Sequence, residues 1–401
     1  MRCTSYSVKR YLSQKAVKSA AFRGWGGMLI ATLVVSAGGV IGGRAYTRAG
    51  AQTPATPSHG ISINAIFSQL NPSDPLYDRF ANVLASPLVD GVSTALNWAT
   101  VDQGPGATGG QYQWRTFDNG IERFIHAGKK VNLLVQPISY GSSNSGTPSY
   151  VLKDKALVKV NCRGGPGGVP YPDFPVVYEK SFKDPYKAFI KQVVQHYANN
   201  PHIGYIRFGL SIGNEIFPQC AKDEAALAGF AVPQWRDRVW LPYHKEMMEY
   251  EKSLNPTMLI ESPMTPWSGE TIWTDTEAKN AAAVGFGFGL QGLQASDIAH
   301  YPNCTGDWCN LFNKYAGQVP ILQLSTLGPT DPSGKCDIPP CPPGRRATGP
   351  LPPLLAFAVE HHANTFELYP QDILIALDPK HPQYAAYHSS YAGAIAAARG
   401  R

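Results

Sequence analysis

Apolar positions along this chain follow two periods in turn. Short apolar runs rich in β-branched residues predict strands at 61–67, 91–98, 130–136, 204–212, 257–260, 284–290, 320–324 and 364–368. Between them, longer stretches with apolar residues every 3.6 positions predict helices at 76–84, 116–126, 184–197, 235–254, 274–283, 307–315 and 351–362. A last helix, 384–398, closes the chain. Strict alternation of strand and helix implies a parallel sheet. Eight such units in about 340 residues fit one α/β domain, a (β/α)8 TIM barrel with long βα loops, over residues 61–401. The rival is a doubly wound open sheet, which often opens with a Gly-rich phosphate loop after its first strand. Here the first strand runs into Asn71-Pro-Ser-Asp74 instead. Gly285, Gly287 and Gly289 alternate as in a strand and mark close packing at the barrel wall.

The long connections follow strands. Segments 138–183, 303–308 and 328–349 come after the third, sixth and seventh predicted strands. In a barrel these loops build the C-terminal face, where active sites sit.

Composition changes the picture at the N-terminus. Arg2, Lys9, Arg10, Lys15, Lys18 and Arg23 precede an apolar run from Trp25 to Gly43, and Arg44 and Arg48 follow it. That charge bias predicts a cytoplasmic N-terminus. Ala49-Gly-Ala51 permits cleavage after Ala51, so residues 1–51 read as a signal peptide, or as an uncleaved signal anchor through 25–43. Residues 52–60 form a Pro/Thr/Ser linker. The expected location is outside the cytoplasm, periplasmic or extracellular, with membrane contact only through the leader. The leader holds eight of the 35 basic residues and no acidic ones, leaving 27 basic against 29 acidic residues. The basic pI therefore belongs to the leader. No basic patch interleaved with aromatics points to nucleic acid.

The cysteines agree with export. Cys3 lies in the leader and six others follow: Cys162, Cys220, Cys304, Cys309, Cys336 and Cys341. An even set in an oxidising compartment suggests three disulfides. Proximity favours Cys304–Cys309 and Cys336–Cys341, leaving Cys162–Cys220. Cys-x4-Cys matches zinc spacing only loosely, the Pro-rich Cys336-Asp-Ile-Pro-Pro-Cys341 suits a stapled loop better, and the histidines show no ligand spacing, so no metal or other cofactor is expected.

The chemistry centres on Asn214-Glu215. An apolar run from Tyr205 ends abruptly in Gly213-Asn214-Glu215. A carboxylate after a barrel strand is well placed to give a proton to a glycosidic oxygen. Upstream, Leu96-Asn-Trp98 leads into Asp102-Gln-Gly-Pro-Gly106, then Gly110-Gln-Tyr-Gln-Trp114 and Asp118 at a helix start. Downstream stands Asp297-Ile-Ala-His-Tyr301. In this order the segments resemble the glycoside hydrolases of clan A, over roughly residues 60–370.

That resemblance implies hydrolysis of a β-linked oligo- or polysaccharide by two carboxylates, with Glu215 as general acid/base and Asn214 on the sugar 2-hydroxyl. The chain departs from the clan at the seventh strand, where Gln323 and Ser325 stand in place of the nucleophilic Glu. Glu367 on the eighth strand is the expected partner of Glu215. Glu261, at the end of the fifth, is the alternative, and an ion pair with Arg207 is the structural alternative for Glu367. Trp98, Trp267 and Tyr301 are expected as sugar platforms, and Gln136, His300 and Gln323 as hydroxyl ligands. Strands four and eight of an eight-strand ring lie opposite each other, which leaves retention and inversion both open. A catalytically inactive glycan-binding barrel, or an anchored transglycosylase remodelling a cell-surface polysaccharide, are the rival readings.

Overall fold

A computed structural model describes residues 62–67, 83, 85–139, 146–163, 170–264, 271–295, 298, 307–326, 328–330 and 348–400. The chain divides into two units, residues 1–50 and 51–401, and everything described belongs to the second. The leader, the linker, most of the helix expected at 76–84, and Trp267, His300, Tyr301, Cys304, Cys336 and Cys341 lie outside the described residues. Cys309 lies in a described helix, but its side chain is outside them, so two of the three expected disulfides are not addressed.

Ten strands are described. In chain order they are β1 (Ser62–Phe67), β2 (Gly91–Asn97), β3 (Lys130–Gln136), β4 (Lys159–Cys162), β5 (Tyr171–Pro175), β6 (Ile203–Phe208), β7 (Ile260–Pro263), β8 (Gly287–Leu293), β9 (Ile321–Thr326) and β10 (Thr365–Leu368). Eight of them close a parallel barrel in the order β1-β10-β9-β8-β7-β6-β3-β2. β4 and β5 form a separate antiparallel hairpin in the long segment after β3, where the sequence pattern predicts only a loop.

The barrel wall has an apolar outside and a largely polar inside. Successive side chains on a strand point to opposite faces. Val131, Leu133 and Val135 of β3, Ile206 and Phe208 of β6, and Phe366 and Leu368 of β10 join the large core between sheet and helices. The alternate positions face inward: Asn64, Ser93, Asn132, Arg207, Glu261 and Glu367, all buried. Inside, Leu134, Tyr205 and Leu322 form a small apolar cluster of their own.

The helices Arg115–His126, Lys180–Tyr197, Leu241–Leu254, Thr271–Val284, Asp307–Tyr315, Leu351–Glu360 and Tyr384–Arg399 match the expected ones closely. Several boundaries differ, the sixth strand for instance running from Gly287 to Leu293 in place of 284–290. The pattern's fourth strand stops at Phe208 and not at residue 212, because Gly209 to Glu215 folds back into a tight loop. Its fifth strand starts at Ile260, so Glu261 lies within a strand and not beyond its end. The helix expected at 235–254 opens with a π-helical turn, Arg236–Trp240. Gly287 and Gly289 of β8 do sit at close approaches, but Gly285 lies before the strand, with a φ of 78° and its nearest neighbour, Lys252 Cε, 3.9 Å from where a Cβ would stand. A Cβ on Gly289 would come within 2.6 Å of Glu261 Cδ and 2.7 Å of Gln323 Oε1. Among the described residues no helix is long and apolar enough to cross a membrane.

Cys162, at the end of β4, is bonded to Cys220, just before the helix Ala221–Leu227. Arg163 beside it pairs with Asp223 at 2.8 Å. The bridge closes a loop of 58 residues, and chain-entropy reasoning gives it about 4 kcal/mol. Replacing both cysteines by alanine should lower the unfolding free energy by about 2–4 kcal/mol in a denaturant titration.

Several buried acids add a pH dependence. Burial, with Asp223 adding to it, pushes Glu224 up to about 8, and burial pushes Glu277 up to about 8. A carboxyl whose folded value is raised binds its proton more tightly in the folded state. Its contribution is therefore full below the unfolded value and is lost as pH rises toward 8. Glu224→Gln, which cannot ionise, should flatten part of the decline in melting temperature between pH 5 and pH 8; an unchanged slope would count against this origin.

Candidate active site

Glu215 is presented by a loop that the fold holds on two sides. Leu210 N–H donates to the Glu215 carbonyl at 2.9 Å, and Glu215 N–H donates to Ile212 O at 3.2 Å. The turn passes through Gly213, whose φ of 61° lies in the left-handed region that glycine adopts without a Cβ penalty. On one flank, Gly209 N–H donates to Val135 O at 2.9 Å and Gly213 N–H to Ile138 O at 2.6 Å, which fastens the loop to the end of β3. On the other, two buried tyrosines of the helix layer donate to its carbonyls: Tyr186 Oη to Gly209 O at 2.7 Å and Tyr243 Oη to Leu210 O at 3.3 Å. Asn214 and Glu215 are both buried, at 4% and 5% exposure, and Asn214 Nδ2 has no hydrogen-bond partner among the described residues.

Beside this loop, the barrel interior carries a connected polar cluster. Arg207 on β6 donates through Nε to Glu261 Oε2 on β7 and through Nη2 to Gln323 Oε1 on β9. Its Nη1 reaches Gln291 Oε1 on β8 at 3.4 Å. Gln323 Nε2 donates to Glu367 Oε2 on β10 at 2.9 Å, and Tyr205 Oη on β6 donates to Glu367 Oε1. Arg207, Glu261, Gln323, Tyr205 and Glu367 are all buried. Five strands thus contribute to one network.

The electrostatics separate the acids. Burial works against the Arg207 charge, but Glu261, with Tyr205, Glu367 and Glu215, outweighs it and holds the guanidinium protonated. Burial pushes Glu261 up to about 7; Arg207 pulls the other way, while Glu367 and Glu215 add to the rise. Burial, then the Glu367 charge, drives the Tyr205 phenol well above its ordinary value, so it stays a donor. Tyr369, just past β10, is also raised, first by burial, and feels Asp372, Glu367 and Glu215. Glu215, Glu261 and Glu367 therefore share one electrostatic environment. The expected Arg207 ion pair exists, but its bonded acid is Glu261 and not Glu367.

Two expectations are corrected. Trp98 is not a sugar platform. It is fully buried, packed against Phe182, Tyr186 and Phe189, and its indole N–H donates to Asp102 Oδ2 at 2.9 Å. Asp102 also accepts from Tyr150 Oη and from Gly104 N–H, at 2.8 and 3.0 Å, so the Trp98–Gly106 bend is a structural lock. Gln323 does not present its amide to a substrate hydroxyl, because its oxygen and nitrogen are held by Arg207 and Glu367. Gln136 is half-buried at the C-terminal end of β3, level with Asn97.

Tyr205, Gln291 and Tyr369 are members of the site that sequence reasoning missed. Tyr205 and Gln291 sit at inward positions of strands already identified, and a polar side chain recurring at the inward period was the available signal. Among the described residues, no group of three or more His, Cys, Asp or Glu has metal-binding geometry.

No protein-family model and no curated protein matches this chain. Solved structures similar to it include a cold-adapted β-galactosidase from Rahnella sp. R3, at 12% identity and a TM-score of 0.49, covering 86% of this chain and 57% of that one. A β-galactosidase from Bacillus circulans sp. alkalophilus matches at 11% identity and a TM-score of 0.47, covering 77% and 50%. The catalytic domain of a β-amylase from Paenibacillus polymyxa matches at 12% identity and a TM-score of 0.46, covering 85% and 99%. The chain thus spans little more than half the length of the two galactosidases. Its assignment as a (β/α)8 barrel stands on the closed strand ring itself.

Trp98→Ala should act on the fold, lowering the unfolding free energy by about 3–5 kcal/mol in urea. A variant as stable as the parent would contradict the core placement.

Proposed function

We propose that this protein is a glycoside hydrolase acting on a β-linked oligo- or polysaccharide, with Glu215 as proton donor and Glu367 as the second carboxylate. The observation that carries it is the convergence of three buried carboxyls and one guanidinium: Glu261, Glu367 and Arg207 inside the barrel, and Glu215 on the loop beyond the C-terminal end of β6, the side of such folds where active sites sit. Glycosidic cleavage needs one carboxyl that gives a proton and another that attacks or activates water.

The choice of Glu367 over Glu261 follows from the bonding. Glu261 is bonded directly to the Arg207 guanidinium, which opposes the rise that burial gives its carboxyl and engages one of its oxygens, so it serves Arg207 as a counter-ion. Among the described residues, Glu367 receives hydrogen bonds from the neutral groups of Tyr205 and Gln323 and has no cation bonded to it. Glu215 lies on the loop beyond β6, and Asn214 beside it has an amide nitrogen available for a sugar hydroxyl. The clan resemblance in the sequence supports the β linkage. The basic–apolar–basic leader supports action outside the cytoplasm on an extracellular or periplasmic glycan.

Glu215→Gln and Glu367→Gln should each lower kcat by about 10²–10⁴-fold on a panel of β-linked oligosaccharides assayed by reducing-end release. An aryl glycoside with an acidic phenol needs no proton on departure, so it should restore turnover to Glu215→Gln and not to Glu367→Gln. If the parent binds glycans without cleaving any, and Glu215→Gln binds equally well, the protein is a glycan-binding barrel and the hydrolase reading fails.

A further inference from the structure

One register irregularity decides what Gln323 does. Between β8 and β9 the partners step from Phe288↔Ile321 to Gly289↔Gln323, so one residue of β8 faces two of β9. Leu322 is the extra residue of a β-bulge. Consecutive residues on a regular strand face opposite sides. Here both face inward: Leu322 joins Leu134 and Tyr205, while Gln323 meets Arg207 and Glu367. Gly289 opposite leaves room for this, since any Cβ there would press on Glu261 and Gln323.

The Gln323 amide can adopt one orientation only. A guanidinium donates and never accepts. Arg207 Nη2 therefore takes the amide oxygen, and the amide nitrogen is left pointing at Glu367 Oε2. Rotating the amide by half a turn would set donor against donor at Arg207 and acceptor against acceptor at Glu367. On the other side, the phenol of Tyr205 reaches Glu367 Oε1 from β6, across the ring from β10. Both oxygens of Glu367 thus accept.

We propose that Tyr205 and Gln323, the latter oriented by Arg207, are positioning residues that hold Glu367 as an unprotonated acceptor and so assign it the nucleophile or base role. This rests on the hydrolase reading for the role, but not for the positioning. Arg207 acts at one remove, its charge reaching Glu367 through a neutral amide and not by direct pairing.

Two variants and two readouts test the proposal. Tyr205→Phe removes one donor to Glu367 at nearly unchanged side-chain volume; Gln323→Met removes the other and, with it, the amide oxygen that accepts from Arg207. In ¹³C-carboxyl NMR of the full-length protein, the Glu367 resonance should titrate about one pH unit higher in each variant than in the parent. On a cleaved glycan, the acidic limb of kcat/KM should move up in step, with kcat falling about tenfold and KM little changed. A Glu367 titration that stays in place in a folded Tyr205→Phe or Gln323→Met variant overturns the positioning. Should the NMR titration move while no glycan is cleaved by the parent, the positioning stands and the hydrolase reading is what fails.

Discussion

Burying the Arg207 guanidinium is the constraint from which the site takes its form. An unpaired charge in a barrel interior is prohibitively unfavourable, and a paired one is tolerated only if its remaining donors are also met. Arg207 meets this by engaging Glu261, Gln323 and Gln291 on three strands. Each bond fixes a neighbour. Glu261 becomes a counter-ion, and Gln323 acquires a fixed amide direction that reaches Glu367. The inside of this barrel is polar where a structural barrel is filled with Val, Ile and Leu. Its stability comes from the apolar layer between strands and helices, which includes Val131, Leu133, Ile206, Phe208 and Phe366. The division of labour leaves the interior free to hold polar and charged side chains.

Glu215 is held by a separate device. Its loop is pinned to the end of β3 by backbone hydrogen bonds and to the helix layer by Tyr186 and Tyr243. The Cys162–Cys220 bridge ties the β4–β5 hairpin to the segment that follows the loop. The acid is thereby carried by backbone already anchored at several points. Such anchoring would suit the proton-donor role proposed for Glu215, since the side chain needs no ordering of its backbone before it acts.

Much of the fold was legible in the pattern of apolar residues. The alternation of strand and helix gave all eight barrel strands and most helix positions to within a few residues, because β3, Lys180–Tyr197 and Asp307–Tyr315 carry strong and unambiguous periods. The site was legible in part. Glu367 was identifiable as an acid at an inward position of an apolar strand. Trp98 was misread, because its neighbours in space come from the helix Lys180–Tyr197, more than eighty residues later. Gln323 was misread because local alternation says nothing of a bulge, which depends on how β9 registers against β8.

The sequence by itself determined which residues have chemistry to offer and, through period and order, which wall of the barrel each strand presents. Local propensity and alternation reach that far because they depend on near neighbours. Tertiary structure alone decided the bonding among those residues: that Arg207 pairs with Glu261 and not Glu367, that Gln323 faces inward beside Leu322, and that Tyr205 spans the ring to Glu367. These depend on strand register and on distances across a closed barrel, which arise only when residues more than forty positions apart in the chain are brought to one place.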